Sequence, residues 1–159
     1  METRALINLE VPETACETGT FAGMTKRGKL KRLKFLKEES MAELKVVNIK
    51  DVKGERRDPP RMSWVLVSEK TVGSQNLAMG VNETYPGGMV PEHTHDKEEE
   101  VMFFLAGRGT FVTEGREIPL EPGVCVYNPP GKPHKIINTG DEVLRFVWIY
   151  SPQLASQRK

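Results

Sequence analysis

The chain contains only three histidines, and two of them, His93 and His95, stand one residue apart in "PEHTHDKEEEVMFF". In a β-strand, side chains at i and i+2 share a face and are separated by roughly 6.6 Å of rise, so this spacing turns both imidazoles the same way with Thr94 opposite. Imidazole is the commonest protein ligand for divalent transition metals, and a carboxylate from a neighbouring strand would complete a facial set. Glu100, at the head of an apolar block, is the candidate carboxylate. His134 follows the turn "NPPGKP" and begins another strand-like run, "HKIIN", which could set a third imidazole opposite the pair. Four ligands from three strands would then encircle one divalent ion. With nitrogen and oxygen donors and no thiolate, Fe, Mn, Ni, Co, Cu and Zn all remain open.

The elements needed to position these groups are legible in the rhythm of the chain. From Val46 onward, short β-type runs are separated by Gly, Pro and Asn, the pattern of an all-β sandwich or barrel with at least eight strands. The runs are "KVVNIKDV", "MSWVLVSEKT", "SQNLAMGVNETY", "VPEHTH", "EVMFFLAG", "GTFVTEGREIPL", "GVCVYNPP", "HKIINT" and "EVLRFVWIYS". Glu114 and Gly115 split the sixth into a hairpin, because glycine accepts the positive φ of a tight turn. Pro129, Pro130 and Pro133 stiffen the corner that aims His134. Asn138 is in phase with His134 and Ile136, so it faces inward, where its amide could fasten a neighbouring loop. Cys125, between valines, reads as a small hydrophobe and not as a ligand.

At this point the spacing resembles that of the cupins. Their first motif is G, five residues, HxH, three or four residues, E, six residues, G, and Gly87, His93, His95, Glu100 and Gly107 match it. The second is G, five residues, PxG, two residues, H, three residues, N, which Gly123, Pro129, Gly131, His134 and Asn138 meet. Fifteen residues separate the motifs, as in compact single-domain cupins. The resemblance runs from Val46 to Ser151. It implies a double-stranded β-helix, the jelly-roll barrel, with a metal held by His93, His95, Glu100 and His134. Glu99 is the alternative carboxylate under the shorter spacing, but it would leave Ala106 at the glycine position. Met102 and Phe104 share the face of Glu100 by alternation and are expected beside the metal, and Tyr127, Tyr150, Tyr85 and Trp148 are further pocket candidates. The substrate-wall expectation is Met102, Phe104, Tyr127 and Trp148. Glu92, Arg108, Arg116 and Lys132 are possible anion or proton handlers.

The resemblance also implies a metal-dependent enzyme acting on a small oxygenated acid or polyol, with dioxygenase chemistry slightly ahead of isomerase, epimerase, decarboxylase or lyase chemistry. A non-catalytic, metal-assisted small-molecule-binding protein is the other class. Family analogy further suggests a homodimer. Composition narrows the rest. A net charge of +1 gives no bulk attraction to nucleic acid or membrane. The two cysteines, Cys16 and Cys125, form neither a framework nor a CxxC pair, and no apolar h-region or membrane-length run is present. A cytoplasmic protein is the expectation. Residues 1–45 read as a basic N-terminal extension to a barrel domain at 46–159, with seven basic residues between Lys26 and Lys37 interleaved with Leu30, Leu33, Phe35 and Leu36.

Overall fold

Ten strands, all paired antiparallel, build two sheets in the computed structural model, which describes residues 44–159. The basic segment at 26–37 and Cys16 lie outside the described residues. In chain order the strands are β1 (Glu55–Arg57), β2 (Arg61–Val67), β3 (Ala78–Thr84), β4 (Met89–His93), β5 (Glu99–Ala106), β6 (Gly109–Thr113), β7 (Arg116–Leu120), β8 (Cys125–Asn128), β9 (His134–Asn138) and β10 (Leu144–Ser151). One sheet has the order β1-β2-β3-β10-β5-β8 and the other β4-β9-β6-β7. The neighbours β3 and β10 are far apart in sequence, so this is the interleaved jelly-roll arrangement and not a simple meander. Lys45–Lys159 form one compact unit.

Period-two burial explains why these segments are strands. In β5, Glu100, Met102 and Phe104 are buried while Glu99, Phe103 and Leu105 are exposed. In β9 the buried set is His134, Ile136 and Asn138, and in β10 it is Leu144, Phe146 and Trp148. These inward faces, with Ala78, Phe111 and Leu120, form one core fed by both sheets. Phe104 and Phe146 anchor it with ring centroids 5.0 Å apart.

Local backbone chemistry closes the strands. Gly107, at φ +77°, ends β5 where a Cβ would lie 2.4 Å from the Val143 carbonyl oxygen, so both conformation and space require glycine. The Glu114–Gly115 turn joins β6 to β7, as the sequence predicts, with both residues at positive φ. Asn138 is buried and fastens the loop after β9. Its Nδ2 donates to the Thr84 and Glu142 carbonyls, each at 2.8 Å, and its Oδ1 accepts from Gly140 N at 3.0 Å.

Two segments depart from the sequence reading. "KVVNIKDV" is not a strand: Asn48 Oδ1 accepts from Lys50 N at 3.0 Å and caps a short 3-10 turn at Ile49–Asp51, a local bond that competes with sheet pairing. "SEKT" does not extend β2. Ser68 caps a four-residue helix α1 (Glu69–Val72) by accepting from Thr71 N, and Gly73 closes it in the left-handed region. Among the described residues no helix is long and apolar enough to cross a membrane.

Candidate metal centre and its cavity

The two cupin-type motifs converge in space. His93 ends β4, Glu100 lies on β5 and His134 opens β9, with His93 and His134 paired directly across the β4–β9 ladder. His95 lies just beyond β4, not within it, so strand alternation alone does not aim its ring. The turn is tied down instead by the opposing loop, where Gly131 N donates to the His95 carbonyl at 2.8 Å. Gly131 adopts φ +77°, which lets the "NPPGKP" corner bring His134 and the His95 backbone together. One ligand atom from each of His93, His95, Glu100 and His134 falls within 4.8 Å of all the others. Glu99 is exposed on the opposite face, whereas Glu100 is buried.

The atoms themselves test whether a cation fits. Glu100 Oε2 lies 2.9 Å from His134 Nε2 and 3.4 Å from His95 Nε2. All three atoms are buried without a hydrogen-bond partner, close but not aligned for donation. Such orphaned polar atoms are costly in a protein interior, and several facing one point are what a bound divalent ion would satisfy. The outer nitrogens are positioned by the backbone. His93 Nδ1 is 2.8 Å from the Pro91 carbonyl, and His134 Nδ1 is 3.2 Å from the Lys132 carbonyl. A proton placed on His93 Nδ1 by its carbonyl acceptor leaves the Nε2 lone pair for a metal, whereas His134 Nδ1 faces both an acceptor, the Lys132 carbonyl, and a donor, Asn128 Nδ2, and frees its Nε2 lone pair only when it donates to Lys132. Asn128, across the ladder from Glu100, reaches His134 Nδ1 at 3.1 Å. Phe111 stacks on the His134 ring with centroids 5.4 Å apart and holds its plane.

Charge states follow from the same packing. Burial alone would raise the Glu100 pKa, but the adjoining imidazoles of His134 and His95 outweigh it and hold the carboxyl at about 2. Burial pushes the His93 pKa down, and the neighbouring imidazoles add to this against the Pro91 carbonyl. Tyr150, its ring 4.9 Å from that of His95, has its phenol pKa raised well above the ordinary value, first by burial and then by the Glu100 charge. It remains a neutral hydroxyl at neutral pH.

The cluster lies in the wall of an open cavity of about 470 Å³, with His93, His95 and Glu100 among its lining. That volume is in the usual range for small-molecule sites. Ile136, Phe146 and Trp148 supply apolar wall, while Glu55, Arg57, Arg61 and Glu92 bring charge of both signs. Of the expected wall residues, Trp148 lines this cavity, and so does Tyr150. Met102 and Phe104 do not. They are fully buried in the core, because alternation fixes which face of β5 they occupy but not how deep in the barrel they lie. Tyr127 is a second correction: it sits opposite Val101 on the outward face of the β5–β8 pair and is 58% exposed. Cys125 shares that face and is exposed, not packed. Arg108 lies away from the cavity, in a cleft beside Thr110 and Glu117.

Arg57, Arg61 and Asn128 were not singled out by spacing. Arg57 and Arg61 precede both motifs, and only the pairing of β1 with β2 and the closure of the sheet bring them to the cavity. Asn128 sits inside the second motif at a position the motif leaves open, and no spacing signal marks it, because the corner at 129–133 breaks the alternation between β8 and β9.

Barrel and motifs together define a single-domain jelly roll carrying a cluster that could hold a metal, and the known proteins agree on the fold. The family model for the Cupin domain matches residues 81–150. The chain belongs to the cupin family. A glucose-6-phosphate isomerase of Thermococcus onnurineus is 32% identical over 166 aligned residues, covering 94% of this chain and 80% of that one. A glucose-6-phosphate isomerase of Pyrococcus horikoshii is 36% identical over 130 residues, covering 73% of this chain, which spans only 63% of that relative's length. Among solved structures, a predicted oxalate decarboxylase of Thermotoga maritima superposes with a TM-score of 0.63 at 24% identity over 68% of this chain and 99% of its own, a likeness of fold.

Proposed function

We propose that this cupin is a metal-dependent isomerase that interconverts an aldose phosphate and the corresponding ketose phosphate. The observation that carries the reading is the convergence of three imidazoles and one buried carboxylate on a common point in the wall of a cavity large enough for a sugar phosphate. The similarity to two archaeal glucose-6-phosphate isomerases supports it and reverses the order suggested by the sequence, in which dioxygenase chemistry stood slightly ahead.

A divalent ion held by His93, His95, Glu100 and His134 would supply Lewis acidity toward the oxygens of a hydroxy-carbonyl substrate. The chain supplies the rest. Isomerisation moves one proton between adjacent carbons and another between their oxygens, so a group that accepts and returns a proton is required. Glu92, which lines the cavity outside the ligand cluster, is the carboxylate offered for that task. Tyr150, kept as a neutral hydroxyl, can donate to a substrate oxygen. Phe146, Trp148 and Ile136 exclude water from one side of the cavity.

The test is conversion of glucose 6-phosphate and related aldose phosphates by the full chain after loading in turn with Fe, Mn, Ni, Co, Cu or Zn. Metal-dependent conversion that disappears in His134→Ala is expected. Stoichiometric metal binding without conversion of any aldose phosphate would overturn the isomerase reading and leave a small-molecule-binding cupin.

A further inference from the structure

Arg57 and Arg61 stand directly opposite each other in the β1–β2 ladder, and both line the cavity that holds the histidine cluster. Like charges at directly opposed positions of an antiparallel pair repel and destabilise the ladder unless something offsets them. Protein groups offset them only in part. Arg57 Nη2 bonds Glu55 Oε2 at 2.6 Å, which accounts for one positive charge of the two. Among the described residues no carboxylate lies within ion-pair distance of Arg61. Its Nη1 donates to two backbone carbonyls, Pro59 at 3.1 Å and Met89 at 3.2 Å. Those two bonds fix the plane of the guanidinium while its Nη2 and Nε have no partner among the described residues. Burial and the neighbouring Arg57 charge push the Arg61 pKa down, against the Asp58 and Glu55 carboxylates, which offset that repulsion in part. A guanidinium anchored at one corner, beside a second arginine and facing a cavity, matches the geometry that recognises phosphate oxygens in pairs.

We propose that Arg57 and Arg61 form an anion seat that holds the phosphate group of the substrate in the cavity shared with the metal cluster. The inference rests on the isomerase reading for the identity of the substrate, but the seat itself rests on the arginine pair. Met89 begins the strand that ends in His93, so the bond from Arg61 also couples the seat to the element carrying the first imidazole. The phosphate would therefore orient the sugar chain relative to the cluster, and not merely raise its residence time.

The experiment compares the full chain with Arg57→Gln, Arg61→Gln and Arg61→Lys in calorimetric titrations against inorganic phosphate and against a hexitol 6-phosphate, which cannot be isomerised, with the unphosphorylated hexitol as control. Circular dichroism checks that each variant folds. Arg57 is half-exposed and, among the described residues, its side chain bonds Glu55 alone, so Arg57→Gln keeps the test valid if Arg61→Gln unfolds. The expected result is tighter binding of the phosphorylated hexitol than of the free hexitol, a loss of about tenfold or more in Arg57→Gln, and partial recovery in Arg61→Lys relative to Arg61→Gln. Phosphate affinity unchanged in a folded Arg57→Gln would overturn the seat, even if the wild type isomerises sugar phosphates. Arginine-dependent phosphate binding without isomerisation by any metal form would preserve the seat and remove the isomerase reading.

Discussion

The substitution Glu100→Gln tests the metal centre at its one anionic member while changing almost no volume. Glu100 Oε2 is buried and faces the Nε2 atoms of His134 and His95 at 2.9 and 3.4 Å, with no hydrogen-bond partner among them. Loss of a group that merely orients a ligand typically costs 10- to 100-fold in metal affinity, so removing the carboxylate itself should cost at least about 100-fold. At a metal concentration about 100 times the wild-type Kd, binding stabilises the folded state by ~2.7 kcal/mol. For a domain of this size that is a rise of about 11 °C in Tm, taking about 4 °C per kcal/mol. The variant at the same concentration would sit near its own Kd and gain only ~0.4 kcal/mol, or about 2 °C. Scanning calorimetry of both proteins after chelator treatment, with and without each candidate metal, measures the difference directly. An equal metal-induced shift in wild type and Glu100→Gln would refute the role of the carboxylate. The absence of any shift in the wild type with all six metals would refute the centre.

The remaining predictions draw on other parts of the same geometry. Asn138→Ala removes three hydrogen bonds from a buried side chain, at about 1 kcal/mol each, so denaturant unfolding should show a loss of about 3 kcal/mol; a loss below about 1 kcal/mol would mean the loop is fastened by something else. Phe104→Ala should cost about 3–5 kcal/mol of stability as a core cavity, whereas Tyr127→Ala, on an exposed outer position, should change it by less than about 0.5 kcal/mol; comparable losses would contradict the assignment of one to the core and the other to the surface. The acid limb of metal-free stability has a definite sign. The folded Glu100 pKa is lowered from 4.5 to about 2, so its contribution is full above pH 4.5 and is lost as the pH falls toward 2. The His93 pKa is also lowered from 6.5, so stability falls as the pH drops below that value. Unfolding midpoints measured from pH 8 to pH 2 should therefore decline first below pH 6.5, through His93, and again below pH 4.5, through Glu100, and stability that rises below pH 6 would refute the pairing.

The metal-site candidates and the barrel were legible because both are local patterns. HxH, the following glutamate, and the Pro- and Gly-rich corner before His134 fix residue types at set intervals, and period-two burial in β5, β9 and β10 follows from where apolar residues fall. Even Asn138 could be read, since its phase with His134 sends it inward. Depth along the barrel could not be read this way. Met102, Phe104 and Trp148 all carry an inward signal, yet only Trp148 reaches the cavity, because position along the barrel axis depends on register between strands distant in sequence. His95 leaves the strand before its ring is placed, so a backbone bond from Gly131 on another segment does what alternation was expected to do. The facing arginines are the clearest product of tertiary structure. "ERRDPPR" looks like an exposed charged turn, and only its folding back as β1 on β2, at the end of the sheet that closes the cavity, sets Arg57 against Arg61 where an anion can reach both. Side-chain type and interval are properties of the chain, whereas convergence of groups from separate strands is a property of long-range pairing, which sequence spacing does not encode.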